Sequence, residues 1–115
     1  MRKLVGEQVL MRIFVGEDDK EGGRPLYTAL VEMLREEGIA GATVLKGTMG
    51  FGAKRHLHSG HVLSLSMDLP IVIEVVDTRE HIDRVLPRID EMIAQGLVTL
   101  EKVNVIRYAP RLDAE

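Results

Sequence analysis

Twice along the chain, a run that is apolar at nearly every position is followed by apolar residues at helical spacing. The two runs are VLMRIFV at residues 9–15 and PIVIEVV at residues 70–76, and apolar character on both faces predicts buried strands. The stripes that follow predict amphipathic helices. They comprise Leu26, Leu30, Met33 and Leu34 after the first run, and Ile82, Val85, Leu86, Ile89, Met92 and Ile93 after the second.

Residues with special backbone preferences mark the expected helix ends. Pro25 suits a first helical turn, where its missing N–H costs nothing, and Gly38 suits a left-handed helix end. Thr78 can cap the second helix, and Gly96 is expected to end it. Pro87 lies inside that helix and predicts a bend or a split there.

The remaining segments complete the expected topology. ATVL at residues 42–45 is a short strand, and residues 97–108 form a last strand whose apolar parity changes near Glu101, which predicts a bulge or a break. Residues 16–23 are a polar loop. The order strand–helix–strand, long loop, strand–helix–strand predicts an α+β, ferredoxin-like βαββαβ sandwich, an antiparallel sheet with two helices on one face. We expect one domain over residues 1–115, with the long loop at about 47–69.

The other face of this sheet is also expected to be apolar. If Met11, Ile13 and Val15 face the helices, Leu10 and Phe14 point away from them. A contiguous bare apolar face usually marks an interface, so the sequence predicts an oligomer.

Composition excludes several classes of protein. The net charge is −3 and only 3% of residues are aromatic, so neither an electrostatic footprint nor stacking platforms for nucleic acid are present. There is no cysteine, which fits a reducing compartment. We expect a cytoplasmic protein that is not inserted in a membrane, because no uncharged stretch approaches the ~20 residues of a span and no signal-peptide segment is seen.

The segment LKGTMGFGAKRHLHSG, residues 45–60, combines glycines with cations. Glycines allow close approach of a ligand to the backbone, and successive N–H groups beside cations form an anion-binding nest. The residues concerned are Gly47, Gly50, Gly52, Lys46, Lys54 and Arg55. The alternative is a linker whose glycines only relieve strain. The segment is not a P-loop, because the Gly-Lys-Ser/Thr ending is missing.

Histidines in the same segment offer a second chemistry. His56, His58 and His61 could bind a divalent transition metal, since imidazole suits Zn, Cu and Ni. The alternative is three solvated histidines beside two cations. His81 is expected to be a surface residue.

No catalytic constellation is found, so we expect no enzyme. The serines near the histidines lack a nucleophile elbow or an oriented base. Glu74, in an apolar strand, is expected to form a salt bridge with a Lys or Arg. Asp68 and Asp77 suit turn and helix-start roles. Arg107 could hold a phosphate or carboxylate, or be merely exposed at a strand end.

Several stretches resemble PII signalling proteins. Residues 37–44, EGIAGATV, resemble the PII helix-to-strand junction, and residues 97–107 resemble the closing PII strand. Gly50-Phe51-Gly52, followed by Lys54-Arg55, is similar to the start of the PII T-loop. Residues 46–58 and 68–77 together resemble more closely an uncharacterised family of PII-like proteins, a domain of unknown function.

The resemblance implies a homotrimer whose sheets face the threefold axis, with ligand sites in the clefts between subunits. Gly50, Phe51 and Gly52 would offer backbone donors there, and Lys54, Arg55 and Arg107 would neutralise a phosphate or carboxylate. It also implies a protein partner, such as a membrane transporter or channel, held by the T-loop.

The chain departs from the PII pattern in four ways. The usual T-loop tyrosine, a modification site, has no counterpart. Lys54 stands at the place of the PII glutamine, Val105 at that of a phosphate-binding arginine, and only Gln95-Gly96 remains of a glycine-rich loop. The resemblance implies an adenine nucleotide as the effector, whereas these departures favour another small anion or a different nucleotide. The rival hypothesis is a metal-binding trimer similar to PII-like copper-tolerance proteins, which would use His56, His58 and His61. A third is a structural oligomer without a ligand.

Overall fold

The computed structural model describes residues 4–51, 58–59 and 68–110. Within these residues neither helix is long and apolar enough to cross a membrane. The elements in chain order are β1 (Gly6–Gly16), β2 (Lys20–Glu21), β3 (Arg24–Pro25), α1 (Leu26–Glu36), β4 (Thr43–Lys46), β5 (Met49–Gly50), β6 (His58–Ser59), β7 (Pro70–Asp77), α2 (Arg79–Met92) and β8 (Leu97–Val105).

Four of the strands form one antiparallel sheet in the order β4-β7-β1-β8. Both helices pack on the same face of it, which confirms the predicted ferredoxin-like βαββαβ sandwich. Two short hairpins, β2 with β3 and β5 with β6, lie outside the sheet. The first of them occupies part of the segment predicted as a polar loop.

The core lies between the sheet and the two helices. Alternate residues of β1 face it, and Met11 and Ile13 are fully buried there, as predicted. Val15 is 7% exposed on the same side. The helices contribute aliphatic side chains that pack against this row: Leu26, Leu30, Met33, Leu34, Ile82, Val85 and Ile89. With few aromatic residues, burial of aliphatic and Met side chains supplies the main driving force for folding.

Two of the four predicted helix-end signals, Gly38 and Thr78, are confirmed, whereas Pro25 directly precedes α1 as its N-cap residue rather than lying in its first turn. Gly38 has a φ of 83°, and the N–H groups of Gly38 and Ile39 donate back to the carbonyls of Arg35 and Leu34. This is the usual left-handed helix ending that glycine permits. Thr78 caps α2, and its hydroxyl accepts a hydrogen bond from the His81 N–H at 3.2 Å.

Of the bend or split predicted at Pro87, the split does not occur, and the predicted end of α2 at Gly96 is wrong. The helix runs through Pro87 as one element rather than splitting, because proline removes one hydrogen bond while Val85 and Ile89 on either side stay packed in the core. The helix also ends at Met92, before Gly96. Gly96 instead permits close packing, since a Cβ there would lie 2.8 Å from the Phe14 carbonyl oxygen.

The predicted bulge or break in β8 is also wrong. The strand pairs with β1 without interruption, from Leu97 opposite Phe14 to Val105 opposite Gly6. Val98 and Leu100 lie opposite Ile13 and Met11 and so face the helices. Val103 and Val105 project from the other face. β8 is thus a regular strand. Its apolar side chains face the helices in its first half and the other side of the sheet in its second half.

Candidate functional site

The base of the long loop is built around Pro70. The N–H of Gly47 donates to the Pro70 carbonyl at 2.7 Å, so this donor is already used and does not belong to an open anion nest. A Cβ at Gly50 would lie 3.1 Å from Pro70 Cγ. The glycines therefore allow two chain segments to approach closely. Met49 and Phe51, on either side of Gly50, are 57% and 63% exposed.

Most of the predicted loop ligands cannot be placed. Gly52, Lys54, Arg55, His56 and His61 lie outside the described residues, and of His58 only its position in β6 is described. The anion and metal predictions that rest on them remain predictions. In the ranges 4–51 and 68–110, His, Cys, Asp and Glu residues form no group of three that could hold a metal ion.

Arg107 and the loop base lie at opposite ends of the sheet. Pro70, against which Gly50 packs, is opposite Gly16 at one end of β1, whereas β8 ends at Val105 opposite Gly6 at the other end. Arg107 is exposed two residues further on. Ten strand residues span roughly 30 Å. One chain therefore does not bring Arg107 and Gly50, two of the predicted ligand residues, together.

An ion pair joins the loop base to the end of β1. Lys46 Nζ lies 2.7 Å from a carboxylate oxygen of Glu17, and the two side chains are 53% and 25% exposed. The hydrogen bond from Lys46 to Glu17 raises the pKa of Lys46. Lys46 was predicted to contribute to an anion-binding nest. In the structure its ammonium group is already paired with the carboxylate of Glu17.

The uncovered face of the sheet, which we call the open face, carries a three-residue ion network. Arg12 Nε donates to Glu74 at 2.9 Å and Nη1 donates to Glu101 at 2.7 Å. These bonds, led by the one to Glu74, raise the pKa of Arg12. The predicted salt bridge of Glu74 is confirmed. The network spans β7, β1 and β8 with one cation and two carboxylates.

Apolar side chains surround this network on the open face. Leu10 and Phe14 lie opposite Val76 and Val72 of β7, as the predicted orientation of β1 requires, and all four are partly exposed. Leu45 and Leu97 extend the surface onto both edge strands and are 48% and 56% exposed. The open face is thus an apolar surface with an ion network at its centre.

A buried cluster around Asp77 was missed in the sequence. Asp77 is 0% exposed and accepts hydrogen bonds from the N–H groups of Ala40 at 2.8 Å and Thr78 at 2.6 Å. His81 Nδ1 lies 2.9 Å from the same carboxylate, so His81 is not the simple surface residue that was predicted. The available signal was DTREH, an aspartate directly after a buried strand with a histidine one turn into the helix.

A groove of about 470 Å³ lies between the end of α2 and the start of β8. Leu86, Ile89, Asp90, Ile93, Ala94, Gly96 and Val98 line it. These lining residues include an acid and no cation. The groove therefore does not match the chemistry expected for an anionic effector.

Comparison with solved structures defines the class of fold. CPII, a nitrogen regulatory PII-like protein from Thiomonas intermedia K12 solved with ADP, AMP and bicarbonate, superposes with a TM-score of 0.68 at 19% identity, covering 88% of this chain and 90% of that chain. A putative PII-like signalling protein from Thermus thermophilus gives 0.65 at 22% identity, covering 89% and 92%. The fold is PII-like.

Sequence comparison identifies the family. Residues 8–105 match the family model DUF190, described as an uncharacterized ACR. A UPF0166 protein of Aquifex aeolicus is 38% identical over 102 residues, covering 89% of this chain and 96% of that protein. A UPF0166 protein of Methanocaldococcus jannaschii is 38% identical over 99 residues, covering 85% and 91%. The chain belongs to the DUF190/UPF0166 family, which confirms the PII-like family resemblance seen in the sequence.

Proposed function

We propose that the protein is a trimeric, non-catalytic PII-like signalling or adaptor protein. It binds a small anionic effector, a nucleotide or a similar molecule, in clefts between subunits and contacts a protein partner through its long loop. One observation carries the proposal. The loop base and Arg107 lie at opposite ends of one sheet, so only neighbouring copies can combine them in one site.

The open face supports the oligomer. Its apolar side chains are partly exposed in the single chain, and covering them releases roughly 25 cal/mol per Å² of apolar area. The end of β8 also supports an oligomer, because Val103 and Val105 add apolar side chains to the open face. Three copies related by a threefold axis would close the surface upon itself.

The chemistry of the predicted ligand residues supports an anionic effector. CPII is bound to ADP, AMP and bicarbonate, which are all anions. In the present chain Lys54 and Arg55 follow the loop base, and Arg107 follows β8 with its side chain exposed. Cations converging from two subunits would bind phosphate or carboxylate oxygens by charge-assisted hydrogen bonds.

The loop base supports a role in partner recognition. Met49 and Phe51 are strongly exposed, and exposed aromatic and Met side chains are enriched at protein interfaces. An effector that orders the loop would change how these side chains are presented, which is an order–disorder switch. A membrane transporter or channel is the kind of partner that we propose.

Calorimetric titration of metal-stripped protein tests the effector. ADP and bicarbonate should each be titrated into the wild type and into Arg107→Ala. We expect binding that weakens at least about tenfold in the variant. Arg35→Ala, which removes an exposed cation from the last turn of α1, is the matched control and should bind normally. Zn²⁺ binding that is lost in His58→Ala, with no response to anions, would favour the metal-binding trimer instead.

Mixed trimers test whether two subunits form each site. Lys54→Ala and Arg107→Ala chains, each expected to bind poorly, should be unfolded together in equal amounts and refolded. A site shared by neighbours regains both cations in about a quarter of the clefts of random trimers. A site formed within one chain regains none, and that result would contradict the proposal.

A further inference from the structure

Lys46 and Glu17 form an ion pair at the base of the long loop. The distance between Lys46 Nζ and the Glu17 carboxylate is 2.7 Å. Lys46 is the last residue of β4 and directly precedes Gly47. Glu17 directly follows β1. The pair therefore connects the strand that enters the loop with the turn that leaves the central strand.

The sheet register shows how the pair is held. Lys46 lies opposite Ile71, and Ile71 lies opposite Val15 on the next strand, so Lys46 and Val15 project on the same side of the sheet. Glu17 is two residues beyond Val15, and its N–H donates to the Leu69 carbonyl at 2.8 Å. The ion pair thus crosses β7 where the long loop returns to the sheet.

The glutamate side chain is more buried than the lysine side chain. Glu17 has its backbone tied to Leu69, and its side chain is 25% exposed, whereas the Lys46 side chain is 53% exposed. A lysine stem has rotatable bonds that allow the ammonium group to leave one partner for another. An anion from solvent can therefore reach the exposed part of the Lys46 ammonium group while Glu17 is still paired with it.

The neighbouring carboxylates already have backbone partners. Asp68 accepts from the Asp18 N–H at 2.8 Å, and Asp19 accepts from the Gly16 N–H at 2.9 Å. These two carboxylates help shape the turn. Glu17 is the carboxylate of this segment that pairs with the loop-base cation.

We infer that Glu17 is a built-in competitor of the effector, and that the effector's phosphate or carboxylate displaces it from Lys46. Phosphate and carboxylate oxygens form the same charge-assisted hydrogen bond with an ammonium group as Glu17 does. Displacement would detach the loop base from the turn after β1. The inference rests on the proposed binding of an anionic effector.

Four variants measured by calorimetry test the competition, with ADP and bicarbonate as probes. Glu17→Gln removes the competing charge, so both anions should bind about threefold tighter or more. Lys46→Gln removes the shared cation and should weaken binding about fivefold. The double variant should bind like Lys46→Gln, because a competitor has no effect once its cation is gone. Thermal melts establish that each variant is folded.

Glu32→Gln, the fourth variant, is the matched control. It removes the same charge from an ion pair of the same length, between Glu32 and Arg24 at 2.7 Å, in which the Glu32 side chain is 51% exposed. Its anion affinity should equal that of the wild type. If Glu17→Gln leaves the anion affinity unchanged, or strengthens it equally with and without Lys46, the competition is overturned. The proposed function would still stand. Failure of the wild type and every variant to bind either anion would overturn both.

Discussion

The buried carboxylate of Asp77 accepts a hydrogen bond at 2.8 Å from the backbone N–H of Ala40, thirty-seven residues earlier in the chain. The bond joins the end of β7 to the connection between α1 and β4. Arg88 reaches the same connection through an ion pair with Glu37 at 2.8 Å. The junction that resembles PII proteins is thus held to the rest of the fold at two points.

Removal of the Asp77 carboxylate should destabilise the fold strongly. Asp77→Ala leaves the N–H groups of Ala40 and Thr78 without this acceptor, which costs about 2–4 kcal/mol. Urea denaturation at one fixed protein concentration measures the loss. The control is Asp83→Ala, whose carboxylate forms an exposed pair with Arg79 at 3.1 Å and should change the free energy of unfolding by less than about 1 kcal/mol. Equal effects would show that the Ala40 contact contributes little.

Gly96 should tolerate no side chain. In Gly96→Ala the new Cβ would lie 2.8 Å from the Phe14 carbonyl oxygen and 2.9 Å from Ile93 Cγ2, and such overpacking costs about 1–3 kcal/mol. Gly41→Ala is the matched control, because nothing lies within 4 Å of a Cβ there. Melting temperatures of the two variants compare them, and a Gly96→Ala protein as stable as Gly41→Ala would contradict the packing described.

Arg12 should be required for assembly because it holds two carboxylates on the open face. Arg12→Met leaves Glu74 and Glu101 without their shared cation, and unpaired charge in a covered interface is strongly unfavourable. We expect the variant to dissociate at concentrations where the wild type stays associated. Adding Glu74→Gln and Glu101→Gln to it should restore association, as measured by sedimentation velocity. Dissociation that persists in this triple variant would mean that the charge imbalance is not the cause.

The Lys46–Glu17 pair should show a defined pH dependence. Glu17 raises the pKa of Lys46 above its ordinary value of 10.5. The stabilisation is therefore full below pH 10.5 and is lost as the pH rises through the higher value of the folded chain. In Glu17→Gln the Lys46 pKa should fall back toward 10.5, which an NMR titration of the lysine side chain would detect. An unchanged titration would mean that the pair does not persist in solution.

The order of the elements could be predicted because burial imposes a period on the sequence. The apolar runs that form β1 and β7 and the helical stripes around Leu30 and Ile82 reflect one core, and local chemistry at Gly38 and Thr78 marked two helix ends. Failures came where tertiary packing overrides a local rule. Pro87 did not split α2 because its neighbours are held in the core, and β8 changed its apolar face rather than its register.

For the candidate site, a prediction came only from motifs and strong local patterns in the sequence. The Gly50-Phe51-Gly52 motif indicated the loop, and the charge of Glu74 within an apolar strand indicated a salt bridge. Contacts between distant segments leave no such signal. The Asp77–Ala40 bond and the Lys46–Glu17 pair each join residues far apart in the chain, so their partners emerge only once the register of the sheet is known.

Sedimentation equilibrium of the purified chain tests the central claim most directly, since the proposed clefts exist only between copies joined through the open face. The account predicts a mass three times that of one chain for the wild type, and a single-chain mass for Phe14→Glu, which places a charge among the apolar side chains of that face. Val44→Glu, on the opposite side of the same sheet, should keep the threefold mass. A wild-type protein that sediments as a single chain would contradict the account.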